Sequence, residues 1–155
     1  MTPAIDLAKQ QGIAYTVHHY QHEPASVSYG LEAAEKLGVK PERVFKTLVL
    51  QLDGKQLAVA VLPVNQQLSM KLAAKALGAK KAEMANAADV MRSTGYVLGG
   101  VSPLGQKKPL PTLIDNSAQQ FASIYISAGK RGLEIELAAE DLRRLLDAQF
   151  AAIGQ

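Results

Sequence analysis

The sequence predicts a mixed α/β (α+β) fold, a single domain over residues 1–155, on three observations. Short apolar runs rich in β-branched residues are interspersed with short amphipathic stretches. Asp53-Gly54 joins two of those runs as a hairpin. With 48% hydrophobic residues, a chain of 155 can bury one sizeable core. In chain order, Thr2, Pro3 and Gly12 supply an N-cap, a first-turn proline and a terminating glycine around a short helix. Residues 13–20 then read as a strand. "QHEPASVSYG" carries loop chemistry, and "LEAAEKLG" is a helix stopped by Gly38. The strand "VFKTLVLQ", residues 44–51, is followed by Asp53-Gly54 and a second apolar strand, "KQLAVAVLP". Ser69 caps "MKLAAKALG", whose Leu72, Ala73, Ala76 and Leu77 form an apolar stripe while Lys71 and Lys75 project away. Asn86 caps another helix through Met91, and residues 93–111 form a long connection rich in glycine and proline. "TLIDN", "SIYISAG" and "LEIEL" are three further short strands. Residues 138–153 close the chain as an amphipathic helix, and the strands are expected around one sheet.

Composition narrows the function. The chain has no cysteine, which removes disulfides, thiolate metal sites and a cysteine nucleophile together. A formal charge of +3 permits contact with a polyanion but falls short of the basic stripe of a dedicated nucleic-acid binder, and no DNA partner is expected. The opening residues lack a basic segment followed by an apolar core, and no apolar run approaches the roughly 18 residues needed to span a bilayer. A soluble, cytoplasmic protein without membrane association is expected.

Lys46 stands out because neither face of its strand reads as a solvent face, with Val44, Leu48 and Leu50 on its own side and Phe45, Thr47 and Val49 on the other. An ammonium there must snorkel from an edge or be received by a polar pocket or an anion. His18, His19, His22 and Glu23 are close together in sequence, but alternation separates His18 from His19 and the chain has no further histidine. No metal site is expected. Hydrolase motifs of the Gly-x-Ser-x-Gly or His-Glu-x-x-His type are absent. Two glycine loops remain. "GGVSPLG", Gly99 to Gly105, is either a tight turn or a backbone cradle for an oxyanion or phosphate. "SAGKRG", Ser127 to Gly132, is either a turn with solvated Lys130 and Arg131 or a contact to an RNA backbone.

Taken together, "VFKTLVL", "STGYVLGGVSPLGQKK" with its Gly99-x-x-x-Pro103, and "ISAGKRGLEIEL", preceded by "MTPAIDLAK" and "EAAEKLG", resemble the YbaK family over essentially the whole chain. These cysteinyl-tRNA(Pro) deacylases belong to the wider group of bacterial prolyl-tRNA synthetase editing domains. The resemblance implies a curved, barrel-like mixed sheet flanked by helices. It also implies a trans-editing activity that releases cysteine from mischarged Cys-tRNA(Pro), with that tRNA and prolyl-tRNA synthetase as partners and no cofactor. In such proteins the substrate's own thiol attacks its ester, so the protein needs no nucleophile.

By position, the resemblance makes Lys46 the group that holds the 3′ end or the polarised ester, with Thr47 beside it. Gly99 and Gly100 become oxyanion donors within the loop that also carries Ser102 and Pro103. Tyr20, Ser127 and Gly129 fall among the substrate-binding positions. Tyr29 stands where a phenylalanine is expected and Glu134 where an aspartate is common. On an ideal strand, Lys46 and Thr47 leave opposite faces and share a pocket only through a bulge or a backbone contact. Two other readings stay open. One is a deacylase of Ala- or Ser-tRNA on the same scaffold, with water attacking. The other is a non-catalytic tRNA- or synthetase-binding module that uses Lys71, Lys75, Lys80, Lys81, Lys107, Lys108, Lys130 and Arg131.

Overall fold

A computed structural model describes residues 1–26 and 28–155; Val27, inside the expected loop, lies outside the described residues. Helix α1 (Pro3–Gln11) begins where expected: the Thr2 hydroxyl accepts from Ile5 N at 3.2 Å and donates to the Ala128 carbonyl, which ties the helix start to a distant strand. Strand β1 (Tyr15–His19) and helix α2 (Tyr29–Leu37) follow, with α2 starting two residues before the expected Leu31. Strands β2 (Phe45–Leu52) and β3 (Gln56–Pro63) form the antiparallel hairpin. Asp53 and Gly54 both have positive φ, 51° and 67°, the hand that matches strand twist in a tight hairpin. The Asp53 carboxylate also accepts from the Lys80 and Lys81 amides, fixing the strand that follows.

Beyond the hairpin come α3 (Met70–Ala76), β4 (Ala82–Met84), α4 (Ala87–Thr94), β5 (Thr112–Asp115), β6 (Ile124–Lys130), β7 (Leu133–Leu137), α5 (Ala139–Leu146) and β8 (Gln149–Ala151). The expected single sheet is in fact two. Five strands run in the order β4-β2-β3-β5-β8, and three in the order β1-β7-β6. They meet at an isolated bridge, Val44 to Tyr125, and do not close into a barrel. Phe45, Val59, Val61 and Ile114 of the larger sheet pack against Ile124, Ile126, Ile135 and Leu137 of the smaller. On the other face of the larger sheet, Leu50, Ala58, Ala60, Leu62 and Leu113 are covered by Ala73 and Ala74 of α3. Strand β3 is therefore buried on both sides, which is why its sequence runs apolar rather than alternating.

Two further expectations need correction. The α3 stripe is rotated: Ala73 and Ala74 are buried while Leu72 is 41% exposed. The last helix does not run to Ile153. It stops at Asp147, which takes a left-handed conformation (φ 50°), and the Ala148 amide returns to Arg143 O at 2.9 Å. Gln149–Ala151 then pair in parallel with β5, so a sheet edge captures residues whose apolar spacing also suited a helix. No helix among the described residues is long and apolar enough to cross a membrane.

Candidate active site

A cavity of about 320 Å³ opens where the start of β2, the first turn of α2, the loop at residues 98–101 and the β6–β7 turn converge. Strand β4 pairs with β2 only at Leu50–Leu52, so over residues 45–48 no strand among the described residues pairs with β2 on that side. This resolves the alternation problem: Lys46 and Thr47 leave opposite faces of β2, yet both line the cavity, because it wraps that unpaired strand edge. Lys46 is half-buried. Its Nζ donates to Gln66 O at 2.6 Å, and burial lowers its pKa. The buried Thr47 hydroxyl has no partner among the described residues.

Tyr20, Tyr29, Ser127, Glu134 and Gly99 complete the set of expected residues in the wall. Glu134 sits on β7, opposite Ser127 of β6 and His18 of β1 in the strand register. It is 6% exposed, and among the described residues no hydrogen bond or ion pair reaches its carboxyl. Burial alone pushes its pKa up to about 8. Tyr20 is also raised, mainly by burial. Four expected residues are not in the wall. The Gly100 amide is already donated to Val97 O at 3.0 Å, and Gly100 packs against the Lys130 backbone. Ser102 and Pro103 are buried behind the loop, where the Ser102 hydroxyl accepts from Leu104 N at 3.2 Å. Gly129 donates its amide to Ser127 Oγ at 3.1 Å and faces the Tyr96 ring.

Gly99 has φ 88°, and a Cβ there would lie 2.6 Å from Arg131 Nη2 and 2.8 Å from Tyr29 Cε2. The Arg131 guanidinium lies over the Tyr29 ring, 3.9 Å from its centroid, and Tyr29 meets the His22 ring edge-on at 5.7 Å. His22 Nδ1 in turn lies 2.6 Å from Glu32 Oε1, and the Glu23 amide donates to Glu32 Oε2 at 2.7 Å. Burial would raise the Glu32 pKa, but these bonds outweigh it and the carboxyl is held below its ordinary range. His18 pairs separately with Glu136 at 2.9 Å. His22 thus braces Tyr29 at the site's rim, and among the described residues no group of three or more potential metal ligands gathers. Lys130 and Arg131 stand at the cavity mouth, while Lys80 and Lys81 lie at the far end of the β2–β3 hairpin beside Asp53.

The model of the aminoacyl-tRNA editing domain family matches residues 23–145, a span that holds every wall residue except Tyr20. The chain belongs to that family. This editing domain is 42% identical over 152 residues to a protein of Enterococcus faecalis, EbsC, provisionally named a Cys-tRNA(Pro)/Cys-tRNA(Cys) deacylase, covering 98% of this chain and 92% of that one. It is 33% identical over 101 residues to a proline–tRNA ligase of Shouchella clausii, covering 65% of this chain and 18% of the ligase. A crystal structure described, again provisionally, as a trans-editing enzyme for prolyl-tRNA synthetase superposes with a TM-score of 0.81. Its sequence identity is 22%, and the match covers 98% of this chain and 92% of that one.

Within the editing domain, sequence reasoning missed Ser28, Gly30 and Leu98 as wall residues. Gly30 reads in the sequence as an ordinary loop glycine, but the structure puts it in the first turn of α2, where a glycine is unfavourable unless something needs the space. Here a Cβ would fall 2.3 Å from Val64 Cγ1. The same logic gives a prediction at Gly99. Alanine there must displace Arg131 from Tyr29 at an unfavourable φ, so Gly99→Ala is expected to lose about 1–3 kcal/mol of stability by chemical denaturation. The cavity mouth should be remodelled with it, and a full-stability variant would show that the loop moves freely.

Proposed function

We propose that this protein is a trans-editing aminoacyl-tRNA deacylase that releases cysteine from mischarged Cys-tRNA(Pro) through attack by the substrate's own thiol. The observation that carries the reading is the cavity wall. It combines a half-buried cation, Lys46, with a glycine whose amide has no acceptor among the described residues, Gly99, and it includes neither cysteine nor histidine. Such a wall can hold a polarised ester and stabilise its oxyanion, while the nucleophile comes from the substrate. Gly99, rather than the engaged Gly100, is the main-chain donor in this scheme. Folding the cysteinyl group so that Sγ meets its own carbonyl replaces an enzymic nucleophile by proximity, an effect that reaches about 7–11 kcal/mol in the best-aligned cases.

The same chemistry supplies selectivity. One methylene in an apolar pocket discriminates by only about 1–3 kcal/mol, whereas a reaction that requires a thiol rejects alanine and proline outright. A catalyst that tests the amino acid in this way need not read the tRNA closely, which fits the two tRNAs in the name of the E. faecalis relative. Prolyl-tRNA synthetase then supplies tRNA(Pro) identity, a partnership suggested by the likeness to part of a proline–tRNA ligase.

The test compares release from Cys-tRNA(Pro), from Ala-tRNA(Pro) and from a cysteinyl ester methylated on sulfur. Blocking the sulfur is expected to slow release at least about a hundredfold, given the size of intramolecular advantages. Equal turnover of the methylated ester would replace the scheme with attack by water. Preference for Ala-tRNA(Pro) would change the substrate, and salt-sensitive binding with no turnover of any ester would leave a binding module.

A further inference from the structure

A thiol that attacks its own ester must first lose a proton, and the wall has to provide somewhere for it to go. This step rests on the thiol-dependent reading above. Among the described residues Glu134 is the single carboxyl in the wall; the other polar side chains are the hydroxyls of Tyr20, Ser28, Tyr29, Thr47 and Ser127 and the cations Lys46, Lys130 and Arg131. The cations are donors without a lone pair while charged, and serine or threonine hydroxyls do not take up a proton near neutrality. We propose that the Glu134 carboxylate accepts the substrate's thiol proton and returns it to the leaving ribose oxygen.

The geometry supports an exchangeable proton at this position. Neighbouring Glu136, two residues along the same strand, is held by His18, Ser123 and Arg43. Glu134 points into the cavity with no partner among the described residues. The titratable and charged groups that face it are His18 across the register (held on Glu136), Tyr20, Tyr29, Lys46, Lys130 and Arg131. Burial also brings the carboxyl's affinity for protons close to that of a thiol, the match that proton transfer in both directions requires.

The step balances. The Sγ proton passes to Glu134 Oε as the sulfur lone pair forms the C–S bond, and the carbonyl π pair moves onto oxygen. On collapse the carbonyl re-forms and the ester C–O bond breaks. The departing ribose oxygen keeps that electron pair and takes the proton back from Glu134. The products are a cysteine thiolactone, which water later opens, and a tRNA with its terminal hydroxyl restored.

Single-turnover kinetics with enzyme in excess over Cys-tRNA(Pro) test the assignment. Glu134→Gln is expected to lower the maximal rate about a hundredfold while the half-saturating enzyme concentration stays within about threefold, the pattern of lost acid–base help rather than lost binding. Glu134→Asp should keep most of the rate. Glu134→Ala should regain about tenfold on addition of formate, a small carboxylate able to occupy the vacated space. A Glu134→Gln enzyme with full maximal rate and weakened saturation would make the residue an anchor for the substrate's amino group and overturn the proposal. So would a folded Glu134→Ala enzyme, by circular dichroism, that formate fails to restore. Wild-type turnover of the sulfur-methylated ester would instead remove the thiol reading itself, and the proton acceptor with it.

Discussion

Replacing Lys46 with alanine is expected to reduce the single-turnover release of cysteine from Cys-tRNA(Pro) by about 10²- to 10³-fold, the usual effect of removing one electrostatic stabiliser from a water-poor site. The fold should survive. Strand β2 is held by eight register pairs with β3, and none of them depends on the lysine side chain. Among the described residues the ammonium has one hydrogen bond, to the Gln66 carbonyl, and its burial already disfavours the charged form. Deleting a partly desolvated charge of this kind does not weaken a core, so thermal unfolding should shift little or upward. Lys46→Arg is not expected to restore the rate. A planar fork cannot occupy the position of a compact ammonium that reaches past a strand edge to one carbonyl. Full activity in the alanine variant, with an unchanged melting curve, would remove Lys46 from the site and leave charge stabilisation to the glycine loop and to Lys130 and Arg131.

Lys46 was legible in the sequence because it contradicts its own strand. Its neighbours on both faces are apolar apart from Thr47, and a charge that survives in such a run marks a local requirement. The β2–β3 hairpin was legible for the opposite reason: two apolar runs of strand length and the Asp53-Gly54 between them all agree. Glu134 is the harder case. In "LEIEL" the two glutamates share one face and one pattern, yet among the described residues Glu134 is buried without a partner while Glu136 is partly exposed with three polar ones. The difference comes from the start of β2 and from α2, which close over one end of β7 and lie some 90–100 residues away in sequence; no local window contains them. The stack of Gly99, Arg131 and Tyr29 is equally non-local, joining three loops or helix ends that are silent one at a time. The short strands β4 and β8 have three residues each, too few to show a period. Where the chain was misread, at residues 147–153, the same apolar spacing served either element. One left-handed residue, Asp147, decided between them.

The buried acid also has a consequence for stability that is independent of any substrate. A carboxyl whose ordinary pKa is 4.5 titrates near 8 in the folded protein, so between those values the unfolded chain releases a proton that the folded one keeps. Folding is therefore favoured least at high pH. The contribution is neutral below about pH 4.5, where both states are protonated. It becomes steadily more unfavourable up to about pH 8 and constant beyond, where the folded state must bury the charge. Glutamine keeps the shape and cannot ionise. Glu134→Gln should thus stabilise the protein by under about 1 kcal/mol at pH 5 and on the order of 3–5 kcal/mol at pH 9, measured by chemical denaturation of both proteins in matched buffers. Glu32 and Glu136, whose pKa values are depressed, lose their stabilising contributions as pH falls, but they are common to both proteins and cancel in the difference. A gain that stays flat with pH would mean that the carboxyl keeps its ordinary affinity for protons in the folded state, without the match to a thiol on which the proton transfer relies. A gain that grows with pH, beside the loss of rate described above, would show a side chain held against the stability of the fold because the chemistry requires it.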